Sequence, residues 1–144
     1  MTNQQHLVAA CAAMTFLVLL VALRLLQNRI REMRSKRIHP QATANSIQVA
    51  ARLENVQAAD NYKNLFEAPV LFYALCAIAI ATGFAPNWLI VGAWIFVFLR
   101  YLHSFIQCTY NKVMHRFPVF MSGLVLLVVL WISYAVDFLS RAAA

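Results

Sequence analysis

The stretch WLIVGAWIFVFLRYLHSFI, Trp88 to Ile106, is uncharged from Trp88 to Leu99 and then admits Arg100 and His103. A strand of a membrane barrel would alternate polar and apolar residues with period two, and this run does not. At about 1.5 Å rise per residue it comes close to the ~30 Å hydrocarbon thickness of a bilayer, so it reads as a membrane-spanning helix. Working outward, three more runs share this character. Leu7 to Leu23 carries no charge, Arg24 sits where a long side chain can snorkel, and Leu25 and Leu26 extend the apolar face. Ala68 to Pro86 is uncharged and led by Asn64-Leu65-Phe66-Glu67, and Val119 to Val136 is uncharged and ends at Asp137. The composition agrees: 62% of the 144 residues are hydrophobic and 12% charged, whereas a soluble domain has about a quarter charged. A soluble globular enzyme and a disordered tail are thereby excluded. The sequence predicts an all-α, integral membrane four-helix bundle forming a single domain over residues 1–144. Its transmembrane helices cover about 7–27, 64–84, 88–108 and 118–138, and a cytoplasmic connection covers 28–63.

Charge placement predicts the orientation. Of the twelve Lys and Arg residues, ten lie in or beside two connections: Arg24, Arg29, Arg31, Arg34, Lys36, Arg37, Arg52 and Lys63 in the first, Lys112 and Arg116 in the third. By the positive-inside rule both connections face the cytoplasm and both termini lie outside. The first run is expected to be a retained anchor, because no Lys or Arg precedes it as a signal peptide would require. The first connection, rich in Ala, Gln and Asn after Pro40, is expected to form a helix from about Ala44 to Lys63 that runs into the second span, with Arg52 and Glu54 merely solvated. The net charge of +7 does not indicate nucleic-acid binding, since neither stacking aromatics nor a groove-reading element accompanies the basic cluster. Contact with anionic lipid accounts for that cluster. Cys11, Cys76 and Cys108 are odd in number and differ in depth, so they imply no disulfide framework, and no metal site is expected.

The polar residues within the spans carry the functional signal. An arginine inside a span costs roughly 3 kcal/mol, so Arg100 needs a partner or a water-filled cavity. Arg100, His103 and Gln107 recur at helical spacing on one face of the third span, and Asp60, Lys63, Asn64 and Glu67 do the same where the second begins. Depth brings Glu67 within reach of Arg100, beside Pro69, which can bend the helix. Interhelical polar contacts in membranes average well under ~2 kcal/mol, so a purely structural clamp barely offsets the cost of the arginine, and a pocket explains it better. Arg29, Lys63, Arg100 and Arg116 outnumber the acids nearby, and guanidinium groups suit carboxylates and phosphates. The expected ligand is an anion with an apolar part, and Ser104, His103 and Tyr110 are candidate hydrogen-bond donors.

Asn64-Leu-Phe-Glu67 with Pro69 and Phe72, followed by Arg100-Tyr-Leu-His103-Ser104, resembles the MAPEG family, the membrane-associated proteins in eicosanoid and glutathione metabolism, and looks most like its small bacterial members. The resemblance extends over nearly the whole chain, including the long inner first connection and the short outer turn. It implies a MAPEG-like homotrimer of four-helix protomers in a bacterial inner membrane, with glutathione held between protomers near the cytoplasmic face. It also implies that the glutathione thiol is activated for transfer to an apolar electrophile or for peroxide reduction. Carried over by motif, Asn64 and Glu67 contact glutathione, Glu67 receiving its amino group, and Arg100 and His103 line the same site. By spacing, Arg29 resembles a basic glutathione contact. Arg116 falls sixteen residues after Arg100, where the prostaglandin E synthase branch has the arginine that stabilises the thiolate. Such a guanidinium lowers the thiol pKa from about 8.5 and raises the nucleophile concentration at neutral pH. Asp60 and Lys63 stand where the better-known glutathione-using members carry arginines, and Gln107 where the eicosanoid branch has tyrosine. These departures keep a second expectation in play: a non-catalytic membrane trimer binding lipid or another small anion.

Overall fold

In the computed structural model, which describes residues 1–142, no strand occurs among the described residues. The chain forms α1 (Asn3–Ser35), a 3-10 turn (Pro40–Thr43), α2 (Ser46–Arg52), α3 (Gln57–Asn64), α4 (Ala68–Ala81), α5 (Asn87–Cys108) and α6 (Val113–Ala142). Among the described residues, four segments are long and apolar enough to cross a membrane: α1, α3 with α4, α5, and α6. The protein is an all-helical, multi-pass integral membrane protein.

Local chemistry starts and stops these helices. A capping box opens α1, with the Thr2 hydroxyl accepting from the Gln5 backbone N–H and the Gln5 side chain accepting from the Thr2 N–H. At 33 residues α1 is about 50 Å long, well beyond the hydrocarbon thickness, so its last turns project past the span. Gly83, at φ +69°, closes α4 in the left-handed region that costs glycine nothing. The Asn3 amide donates to the Ala85 carbonyl at 2.6 Å and to Asn87 Oδ1 at 2.9 Å, which ties the start of α1 to the α4–α5 turn.

Helix α5 is the centre of the bundle, packing against α6, α1 and α3. Toward the α4–α5 turn its inward face is apolar: Leu89, Ala93 and Phe96 meet Leu7, Ala10 and Met14 of α1, Phe72 and Leu75 of α4, and Leu127 and Leu130 of α6. Phe72 stacks on Phe96 with ring centroids 4.8 Å apart. Polar side chains reach carbonyls of neighbouring helices, Tyr101 donating to Ala13 at 2.7 Å and Trp131 Nε1 to Leu71 at 3.1 Å. Toward the opposite end, rich in Lys and Arg, the same helix buries Arg100, His103, Ser104 and Gln107.

The expected continuous helix over residues 44–63 and into the second span is broken twice. The first break, between α2 and α3, has its cause in α1. Glu32, only 6% exposed, accepts from the Glu54 N–H at 2.7 Å, the Asn55 N–H at 3.1 Å and the Asn55 side chain at 3.1 Å. These bonds draw the chain across the end of α1. Lys36 completes the latch, its ammonium lying 2.8 Å from Glu32 and 2.7 Å from Glu54, so Glu54 is paired rather than merely solvated. The second break, at Leu65–Glu67, follows from Pro69 in the first turn of α4. Its ring lacks an N–H, excludes the carbonyl four residues back and biases Ala68 away from continuing a helix.

Candidate functional site at the basic end of the bundle

At the basic end, α3 lays two asparagines against the polar face of α5. Asn61 is fully buried; its amide N–H donates to Cys108 Sγ at 3.3 Å, and its Oδ1 accepts from the Ser104 hydroxyl at 3.3 Å. One turn on, half-buried Asn64 donates to Gln107 Oε1 at 3.3 Å, and the same oxygen lies 2.9 Å from His103 Nε2. With Gln107 Oε1 already accepting from Asn64, the ring proton of His103 belongs on Nε2. His103 Nδ1 then faces the Arg116 carbonyl at 3.3 Å, an oxygen that would accept a hydrogen bond from Nδ1 in the doubly protonated ring. Arg116, half-buried in the first turn of α6, donates from Nη1 to Asn111 Oδ1 at 2.6 Å. Asn111 holds φ +49°, a left-handed conformation that asparagine tolerates better than most residues. A polar chain thus runs from α3 through α5 to the start of α6: Asn64, Gln107, His103, the Arg116 backbone.

Arg100, one turn deeper, is 2% exposed, and Nε, Nη1 and Nη2 have no hydrogen-bond partner. Its guanidinium carbon lies 5.3 Å from the Phe96 ring centre and 5.1 Å from that of Phe120, so aromatic faces cover the cation. Desolvated cation–π pairs of this kind are worth about 2 kcal/mol each, comparable with the cost of placing the arginine there. Phe120 also flanks His103, with ring centroids 5.5 Å apart.

Of the residues singled out from the sequence, Asn64, His103 and Arg116 are brought together, with Arg100 adjacent. Glu67 makes no direct ion pair with Arg100, although its charge lies near enough to act on the guanidinium. It stands exposed at the break between α3 and α4, with φ −99° and ψ −101°, and among the described residues it makes no ion pair within 4 Å. The helix break turns Glu67 out of the Asn64 face, and two rings occupy the space around the guanidinium. Lys63 and Asp60 are likewise exposed on α3, and half-buried Arg29 lies on α1 apart from the chain of polar contacts. Asn61 escaped the sequence reading although it stands three residues before Asn64 on the same helix face, a spacing that could have revealed it. Phe96 and Phe120 carried no such signal, because aromatics are ordinary in membrane spans. Asn111 and Glu32 were also unforeseen, their roles depending on where other parts of the chain pass.

No curated protein and no solved structure matched the chain. A family model did, that of the MAPEG family, over residues 7–136, a region that reaches into all four apolar segments and contains every residue of the polar chain just described. This protein therefore belongs to the MAPEG family.

Proposed function

We propose that the protein is a glutathione-dependent transferase or peroxidase, active as a homotrimer that holds glutathione near the cytoplasmic face between protomers. The observation that carries this reading is the linkage of Asn64, Gln107, His103 and Arg116 at the basic end, in a chain of this family. Asn111 restrains the Arg116 guanidinium, whose positive charge favours thiolate over thiol. The thiol proton leaves to water, and the thiolate attacks an apolar electrophile arriving from the bilayer. A C–S bond forms as the leaving group departs with its electron pair or, on a peroxide, an S–O bond forms as the O–O bond breaks and the alcohol leaves. Glu67, Lys63 and Arg29 stand outside the intramolecular network, available to a ligand held against a neighbouring protomer. There Glu67 would take the ammonium of glutathione and the two cations its carboxylates. In this reading the membrane is a bacterial inner membrane with both termini outside.

The test is glutathione titration of the purified protein, with ultraviolet detection of thiolate, for wild type and Arg116→Ala. Binding by both proteins with thiolate formed only by wild type is the expected result. No binding at millimolar glutathione rejects the proposal.

A second reading, a non-catalytic trimer binding a small anion or lipid, draws on Arg100, whose donors have no partner within the protein. It requires an anion that co-purifies with wild type and is lost in Arg100→Met, without thiol chemistry in either.

A further inference from the structure

Two cavities on the α1–α5 side of the bundle share a boundary formed by Arg24 and Cys108. One is a polar chamber of about 410 Å³ between the projecting end of α1 and the start of α3, with Arg31, Lys36, Glu32 and Glu54 in its wall. The other is an apolar groove of about 220 Å³ walled by Leu20, Tyr101 and Phe105. Leu20 is 42% and Phe105 63% exposed, so the groove opens on the outer surface of the protomer.

The charges in the chamber do not cancel. Both carboxylates are engaged by Lys36, whereas Arg24 and Arg31 make no ion pair among the described residues. Depth matches a bilayer. Arg24 lies about 26 Å along α1 from Leu7, near the edge of the ~30 Å hydrocarbon layer, and Arg31 about 10 Å beyond, among the headgroups. An apolar slot below a guanidinium, with a water-accessible cationic chamber above it, has the polarity profile of one molecule.

We propose that the two cavities form a single site for an anionic phospholipid of the leaflet at the basic end. The phosphate sits on Arg24, the headgroup extends into the chamber toward Arg31, and one acyl chain enters the groove between α1 and α5. The site is separate from the Asn64–His103–Arg116 chain and does not depend on the glutathione reading. The groove selects for a chain, which free phosphate lacks, and the two unpaired arginines select for net negative charge, which a zwitterionic lipid lacks because its headgroup cation offsets its phosphate.

The experiment reconstitutes the full-length protein with equimolar phosphatidylglycerol and phosphatidylcholine and measures retained lipid by native mass spectrometry. Wild type should retain phosphatidylglycerol preferentially. The preference should fall about fivefold in Arg24→Gln or Arg31→Gln and about twenty-five-fold in the double variant, as expected for loss of one and two near-surface charges. Leu20→Trp, which fills the groove from an exposed position and removes no core packing, should lower retention with both arginines intact. Lys112→Gln, a basic residue of the other connection, should leave the preference unchanged. Equal preference in wild type and the double variant would overturn the proposal, as would an equal loss in Lys112→Gln, which would mean general surface charge. Unchanged retention in Leu20→Trp, or displacement of the lipid by millimolar inorganic phosphate, would also overturn it by removing the acyl chain from the recognition.

Discussion

Glu32 and Arg100 are both charged and nearly excluded from solvent, at 6% and 2% exposure, yet their surroundings are opposite. Glu32 accepts from two backbone N–H groups and a side-chain amide and pairs with Lys36. Arg100 uses none of its donors and is covered by two aromatic rings. A buried carboxylate with filled acceptors is a structural fastener, since removing it strands the groups it satisfied. A buried guanidinium without hydrogen bonds fastens little: the rings offset its burial, and its positive charge reaches nearby groups weakly screened by water. The first region holds the connection in shape, and the second sets the potential of the polar chain beside it.

The largest expected effect tests the functional side of this contrast. Arg116→Ala should lower glutathione-dependent turnover by about 10²–10³-fold, the range found when a charge-stabilising donor is removed from an active site. Turnover with an electrophilic substrate at saturating glutathione measures it, and an unchanged rate would remove Arg116 from the chemistry. Next, Glu32→Ala should destabilise the protein by about 2–3 kcal/mol, because charge-assisted hydrogen bonds are lost and the Glu54 and Asn55 N–H groups are stranded. Thermal unfolding in detergent reads this, and thiolate formation should be unaffected.

The same fastener predicts a pH dependence. Glu32 lies beyond the span, where burial pushes its carboxyl up but the Glu54 N–H, Lys36 and Asn55 outweigh that and hold it at about 2, against a usual 4.5. A depressed folded-state pKa adds stability above the unfolded value and loses it as pH falls through the folded one. Wild-type stability should therefore drop more than that of Glu32→Gln between about pH 4.5 and 2, with the two parallel above that window. The smallest effect belongs to Arg100→Met. Loss of the cation–π contacts and relief of the burial cost nearly balance, so stability should change by no more than about 1 kcal/mol. A loss as large as that of Glu32→Ala would show that Arg100 is a fastener too and break the contrast.

The bundle was legible in the sequence because a bilayer imposes a single local requirement, about 20 apolar residues in a helix. Leu7–Leu23, Ala68–Pro86 and Val119–Val136 nearly meet it, Trp88–Leu99 does so only with the residues that follow to Ile106, and each overlaps one of the four segments. Asn64 and His103 were recognisable because polar groups in such a setting need a reason, whereas Arg116 came from its spacing after Arg100. The pairing of Glu67 with Arg100 was not recoverable from spacing. It assumed a straight helix through Leu65–Glu67, and the break beside Pro69 turns Glu67 away while Asn61 and Asn64, earlier on α3, keep their contacts with α5.

By itself, then, the sequence determined that this protein is helical, crosses a membrane through four segments and concentrates its cations at one end. Hydropathy and charge act residue by residue, and local composition is enough to read them. Only the tertiary structure decided that Glu32 anchors residues 54–55, that Asn61 joins Ser104 and Cys108, and that Phe96 and Phe120 rather than Glu67 cover Arg100. Each of those outcomes depends on which distant groups compete for the same few ångströms. That competition is settled when helices pack, and residue spacing along the chain does not encode it.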